Sequence, residues 1–146
     1  MVVKRIGLLL LSALLCGQLQ AAITVDEGYI RGLPPGQKTT AAFMRLHNSS
    51  SQSIRIIGVT SPAAQRAEFH RSSHSGDMMS MEHLEAIAVP AGEVVVLKPG
   101  AMHLMLINLT APLRDGDSAP LTLQLEGGEQ LTVILPVRSV LNEHRY

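Results

Sequence analysis

Turn-forming clusters interrupt this chain so often that no long helix fits between them. Gly32-Leu33-Pro34-Pro35-Gly36, Asn48-Ser49-Ser50-Ser51, Ser61-Pro62, Ser75-Gly76-Asp77, Pro90-Ala91-Gly92 and Lys98-Pro99-Gly100 each break the backbone, because these residue types favour turns over element interiors. The pieces between them alternate instead of following a 3.6-residue period. In residues 39–47, Ala42, Met44 and Leu46 alternate with Phe43, Arg45 and His47, the pattern of a half-buried strand. In residues 53–59, Ile54 and Ile56 share a face that Gly58 continues. Further strands are expected over residues 23–31, 67–72, 79–89, 93–97 and 102–109. A last hairpin joins 121–125 to 131–137 across Glu126-Gly127-Gly128-Glu129. Eight or nine short strands predict an all-β fold, a Greek-key sandwich or barrel.

The 146 residues suffice for one domain with a single core. Residues 1–22 read as a secretory signal peptide, leaving 23–146 as the folded domain. Lys4 and Arg5 precede an apolar run over residues 6–15, too short to span a bilayer, and Ala21 and Ala22 supply small residues for cleavage. After cleavage the mature chain is expected outside the cytoplasm, with no stable membrane insertion. Cys16, the sole cysteine, falls inside the leader. Acylation at Cys16 is disfavoured because bulky Leu15 stands where a small residue is normally required. A mature chain without cysteine has no disulfide, thiolate metal site or redox thiol. Cysteine-dependent blue-copper and dinuclear electron-transfer centres are excluded with them. Removing Lys4 and Arg5 leaves ten basic against twelve acidic residues, so the balance is not that of a nucleic-acid binder. With no tryptophan and two phenylalanines, the core must be aliphatic.

Histidine and methionine concentrate between residues 70 and 105. Four of the six histidines (His70, His74, His83, His103) and five of the seven methionines (Met78, Met79, Met81, Met102, Met105) lie there. Imidazole with thioether is a soft, uncharged set that selects Cu(I) over harder ions. His103 and Met105 are two apart on an expected strand and therefore leave the same face, with Leu104 and Leu106 turned the other way. His70 and Met81 fall on opposite arms of a hairpin tipped by Ser75-Gly76-Asp77.

Histidine, ten residues, methionine, twenty-one residues, histidine-x-methionine is the spacing of His70, Met81, His103 and Met105. It resembles the PCu(A)C-type periplasmic copper chaperones. The stretches YIRGLPPGQKTTAAFMRLHN, MMSMEHLEAIAVPAGEVVVLKPG and PLRDGDSAPLTLQLEGGEQLTVILPV extend the likeness over nearly all of the mature chain. The resemblance implies a cupredoxin-like β-barrel that binds one Cu(I) through those four residues and delivers it to an acceptor, commonly in cytochrome c oxidase CuA-site assembly. Two departures are visible: Tyr29 stands where the family often has tryptophan, and Ala101 replaces a glycine frequent before the histidine-x-methionine pair.

A lone methionine in a β protein is ordinarily core filler. Met44, Met102, His47 and His144 are read in that bland way. Met79 and His83 share the face of Met81 if the strand stays extended, which makes them no more than candidates for alternate or supporting ligands, with the bland reading preferred. His74 and Met78 near the hairpin tip are candidates for a second, weaker ion. Glu68, Asp77 and Glu82 are near enough in sequence to assist a transient Cu(II) state. Since free imidazole titrates near pH ~6.5 while thioethers do not titrate, Cu(I) binding is expected to weaken on acidification. An affinity flat into strong acid would argue against two histidine ligands. No phosphate loop, GxSxG elbow or HExxH motif is present, so an enzyme is not expected. The rivals to a metallochaperone are a copper-buffering or resistance protein and a metal-free β-sandwich interaction module.

Overall fold

A computed structural model describes residues 22–142. The expected signal peptide, Cys16 and His144 lie outside the described residues. Those residues form ten strands: β1 (Ile23–Gly32), β2 (Thr39–Asn48), β3 (Ile54–Thr60), β4 (Ala64–Ser75), β5 (Met78–Leu84), β6 (Ile87–Val89), β7 (Val94–Leu97), β8 (Met102–Leu109), β9 (Ser118–Leu125) and β10 (Gln130–Ser139). A short 3₁₀ turn, Val140–Asn142, follows.

The strands run in the order β5-β4-β8-β2-β1-β10-β9-β3-β6, with β7 paired to β2 beside β8. Folding this ribbon into two layers is the work of β10. Its Gln130 to Pro136 stretch pairs antiparallel with β9, while Val137 to Ser139 pairs in parallel with β1. The result is an all-β open sandwich, as the turn spacing predicts. Its core is aliphatic: Met44, Leu46, Leu104 and Leu106 from one layer meet Ile56, Leu121, Leu123 and Leu135 from the other. Met44 is buried filler, as read from the sequence.

Three strand expectations need correction. β2 is not half-buried, since Thr40, Ala41 and Phe43 are covered as well as Ala42, Met44 and Leu46. It is an interior strand, and its outer face lies under the Tyr29 ring, 5.3 Å from that of Phe43, and the Arg31 guanidinium, 5.0 Å from the same ring. On β3 a bulge between Ile56 and Gly58 shifts the alternation, so Val59 rather than Gly58 continues the buried face. Residues 79–89 are not one strand. β5 ends at Leu84, where its pairing with β4 stops, and the chain changes layer, so that β6 pairs with β3.

Candidate metal centre

The register of three adjacent strands brings the site together. β4 lies between β5 and β8, and pairs Phe69 with Leu104 on the core side. One residue along each strand the side chains reverse face, so His70 and His103 stand opposite one another on the outer side, with ring centroids 6.1 Å apart. Met105, two residues beyond His103, lies across from Glu68, and Met81 lies across from Ser72. Each methionine is therefore a diagonal neighbour of His70, a separation that long side chains can bridge. His103 is 6% exposed and Met81 52% exposed, so the set grades from a buried imidazole to an open thioether.

The imidazoles are prepared as lone-pair donors. His103 donates its Nδ1 hydrogen to the Ala101 carbonyl at 3.0 Å, leaving Nε2 as the basic nitrogen. His70 sets Nε2 3.0 Å from Glu68 Oε2. Its Nδ1 is buried without a hydrogen-bond partner, the only such side-chain nitrogen or oxygen among the described residues. A buried acceptor left unsatisfied is costly. A cation at Nδ1 would relieve it, with Glu68 serving as the hydrogen-bonded carboxylate behind a metal-binding histidine.

Glu68 is the site residue whose role the sequence reading missed. Its carboxyl is held below the usual range chiefly by the His70 hydrogen bond. Burial opposes this, and the charge of Arg66, at 3.2 Å, reinforces it, followed by His83 and His70. A depressed folded-state pKa means that the associated stability is present above about pH 4.3, the unfolded carboxylate value, and is lost as the pH falls through the lower folded value. The group is partly open to solvent, so the gain is screened and small. The available signal was its position: two residues before His70 on a strand is the same face.

The other candidates sort by face. His83 lies directly opposite His70, with ring centroids 5.5 Å apart, so it borders the site. Met79 is two rows away, across from His74. Glu82 pairs with Arg71 on the reverse face, 3.9 Å from its guanidinium, and Asp77 sits in the hairpin turn. Of the three carboxylates considered for a Cu(II) state, only Glu68 reaches the histidines. Met102 packs against the core, in accord with its bland reading, and His47 lies across from Thr24 and Val94, away from the site. The Ala101 departure leaves the turn intact, because Gly100 supplies the positive φ of 77°. The Ala101 carbonyl accepts from both the Ser72 amide and His103. Tyr29 packs on Phe43 and carries Arg138 over its ring at 5.3 Å.

The open sandwich that carries these imidazoles and thioethers is a fold that solved structures share. The copper-bound PCuAC domain from PmoF2 superposes with a TM-score of 0.68, covering 82% of this chain and 94% of that one at 24% identity, a likeness of fold. The solution structure of CuI-DR1885 from Deinococcus radiodurans gives a TM-score of 0.67 at 31% identity, covering 84% and 83%. Putative lipoprotein Lxx21020 of Leifsonia xyli subsp. xyli is 30% identical over 123 residues, spanning 84% of this chain and 73% of its own length. A family model described as putative lipoprotein LpqE-like matches residues 23–137, and the chain belongs to that family.

Proposed function

We propose that this chain is an exported copper metallochaperone of the periplasm, binding one Cu(I) through His70, Met81, His103 and Met105 and passing it to an acceptor by ligand exchange. The observation that carries the reading is the cross-strand pair His70–His103 with a methionine on each diagonal. Two neutral imidazoles and two thioethers bring no charge to the ion, which suits Cu(I) and leaves Cu(II) poorly served. The copper-bound relatives support the same cargo.

Delivery follows from the gradient of exposure. An incoming ligand can displace the open Met81 first, while His103 holds the ion from a buried position, so the sandwich need not unfold. The acceptor we favour is the CuA site of cytochrome c oxidase during assembly. Export is supported by the lipoprotein names of the family and of the Leifsonia relative together with the leader-like residues 1–22. No helix among the described residues is long and apolar enough to cross a membrane.

The test is an anaerobic titration of the domain with Cu(I) against a chromophoric chelator, followed by mixing with an apo CuA domain. Tight one-to-one binding, then transfer faster than spontaneous release, is expected. Binding without transfer would leave a buffering protein, and absence of tight binding would leave a metal-free module. In the same assay Glu68→Gln is expected to lower affinity by roughly 10–100-fold, the usual effect of removing a partner that orients a metal-bound histidine. An unchanged affinity would show that the carboxylate is not positioning His70.

A further inference from the structure

The β4–β5 hairpin extends past the sheet that carries the site. Pairing between β8 and β4 ends at Arg71 opposite Met102, and the Ser72 amide adds one bond to the Ala101 carbonyl, so beyond Ser72 the hairpin is held, among the described residues, by its own two strands. Its turn is the two-residue Gly76-Asp77, and Gly76 takes a φ of 61°, as the first central position of a type II′ turn requires. In such a hairpin the pair flanking the turn, Ser75 and Met78, exchanges hydrogen bonds. The next pair, His74 and Met79, is then of the non-hydrogen-bonded kind, in which side chains lie closer.

The two faces of this arm differ in chemistry. On one face the Ser73 and Ser80 hydroxyls bond each other at 2.6 Å. On the other, His74 faces Met79 directly and has Met81 on its diagonal, repeating the imidazole with neighbouring thioethers of the main site. None of these three side chains has a hydrogen-bond or ion-pair partner among the described residues, and Met79 is 67% exposed. The register also excludes Met78 as the partner of His74, because it lies across from Ser75 and so on the opposite face. Exposed thioethers on a projecting arm bury little apolar surface, so packing does not account for them.

We infer that His74 and Met79 form a second, weaker Cu(I) site at the hairpin tip, with Met81 as the thioether that hands the ion between it and the His70–His103 centre. Met81 lies one row from His70 and one row from His74, a spacing of about 7 Å along the strand in each direction. The ion enters or leaves by exchange of neutral ligands, with no change in its charge or oxidation state. The inference rests on the copper reading of the main site, and its failure is separable from that reading.

Anaerobic titration of the mature protein with Cu(I) against two chelators of different strength decides it. The expected wild-type result is one tight equivalent and one weaker. His74→Ala combined with Met79→Leu, both on the exposed arm, should retain the tight equivalent and lose the weaker. Met105→Ala combined with His103→Ala should do the reverse, leaving a weak equivalent that disappears when the His74 and Met79 changes are added. A wild-type protein that takes up a single equivalent, or a weaker equivalent indifferent to His74 and Met79, would overturn the second site and leave the first standing. Loss of the tight equivalent from the wild type itself would instead strike the proposed function.

Discussion

Alanine in place of His103 is expected to reduce Cu(I) affinity by well over the roughly 100-fold that marks the upper end of losing a supporting partner. His103 is the buried member of the set, its basic nitrogen fixed by the Nδ1 bond to Ala101. Alanine removes that donor and leaves Ala101 to its bond with Ser72. His83 cannot take over the role of His103, because it lies on the far side of His70. For the same reason His83→Ala is expected to change affinity far less than His103→Ala. Chelator competition at fixed pH measures both, and thermal unfolding of the apo-proteins shows whether the fold survives. Equal losses from His83→Ala and His103→Ala, with both variants folded, would refute the proposed ligand set.

Much of this site was legible because strands obey a period of two. His103 and Met105 could be assigned to one face before any register was known, and the Ser75-Gly76-Asp77 turn placed His70 and Met81 on facing arms. What sequence periodicity does not contain is which strands are neighbours. The placement of β4 between β5 and β8 makes His70 the centre of the cluster, flanked by His83 on one side and His103 on the other. The same ignorance of neighbours hid the burial of Phe43, whose polar-facing alternation gave no warning of the Tyr29 ring above it. The change of layer after Leu84 was hidden too, since alternating residues continue across it without a strong turn signal. Gly58 misled for a local reason: a bulge inverts the faces beyond it.

Asn48 is the largest omission, and it carries the strongest stability prediction. In sequence it opens a serine-rich turn, whereas in the fold it closes β2 and is fully buried. Its Nδ2 donates to the Gln52 carbonyl at 2.7 Å and the Val89 carbonyl at 2.9 Å. Its Oδ1 accepts from the Ser50 amide at 2.9 Å and the Ser50 hydroxyl at 2.7 Å. Both donors and both lone pairs are thus used, and the backbone amide adds a bond to the Glu93 carbonyl at 3.0 Å. One side chain joins the end of β2, the following turn and the end of β6. Asn48→Ala strips the Val89 carbonyl of this donor inside the core, and Val89 is itself fully buried. Each lost net bond is worth ~1 kcal/mol and a stranded buried acceptor ~1–3, so a total of about 2–4 kcal/mol is expected in denaturant unfolding. Asn48→Asp should be no better, since a carboxylate would face two carbonyl oxygens where the amide donates. Ser50→Ala should cost less, because it removes only one hydroxyl at a partly open position. The outer face bearing His70 and His103 lies on strands that Asn48 does not touch directly, so folded Asn48→Ala is expected to keep wild-type Cu(I) affinity. A loss below ~0.5 kcal/mol would mean that water replaces the amide, and the clamp would then be incidental to the fold.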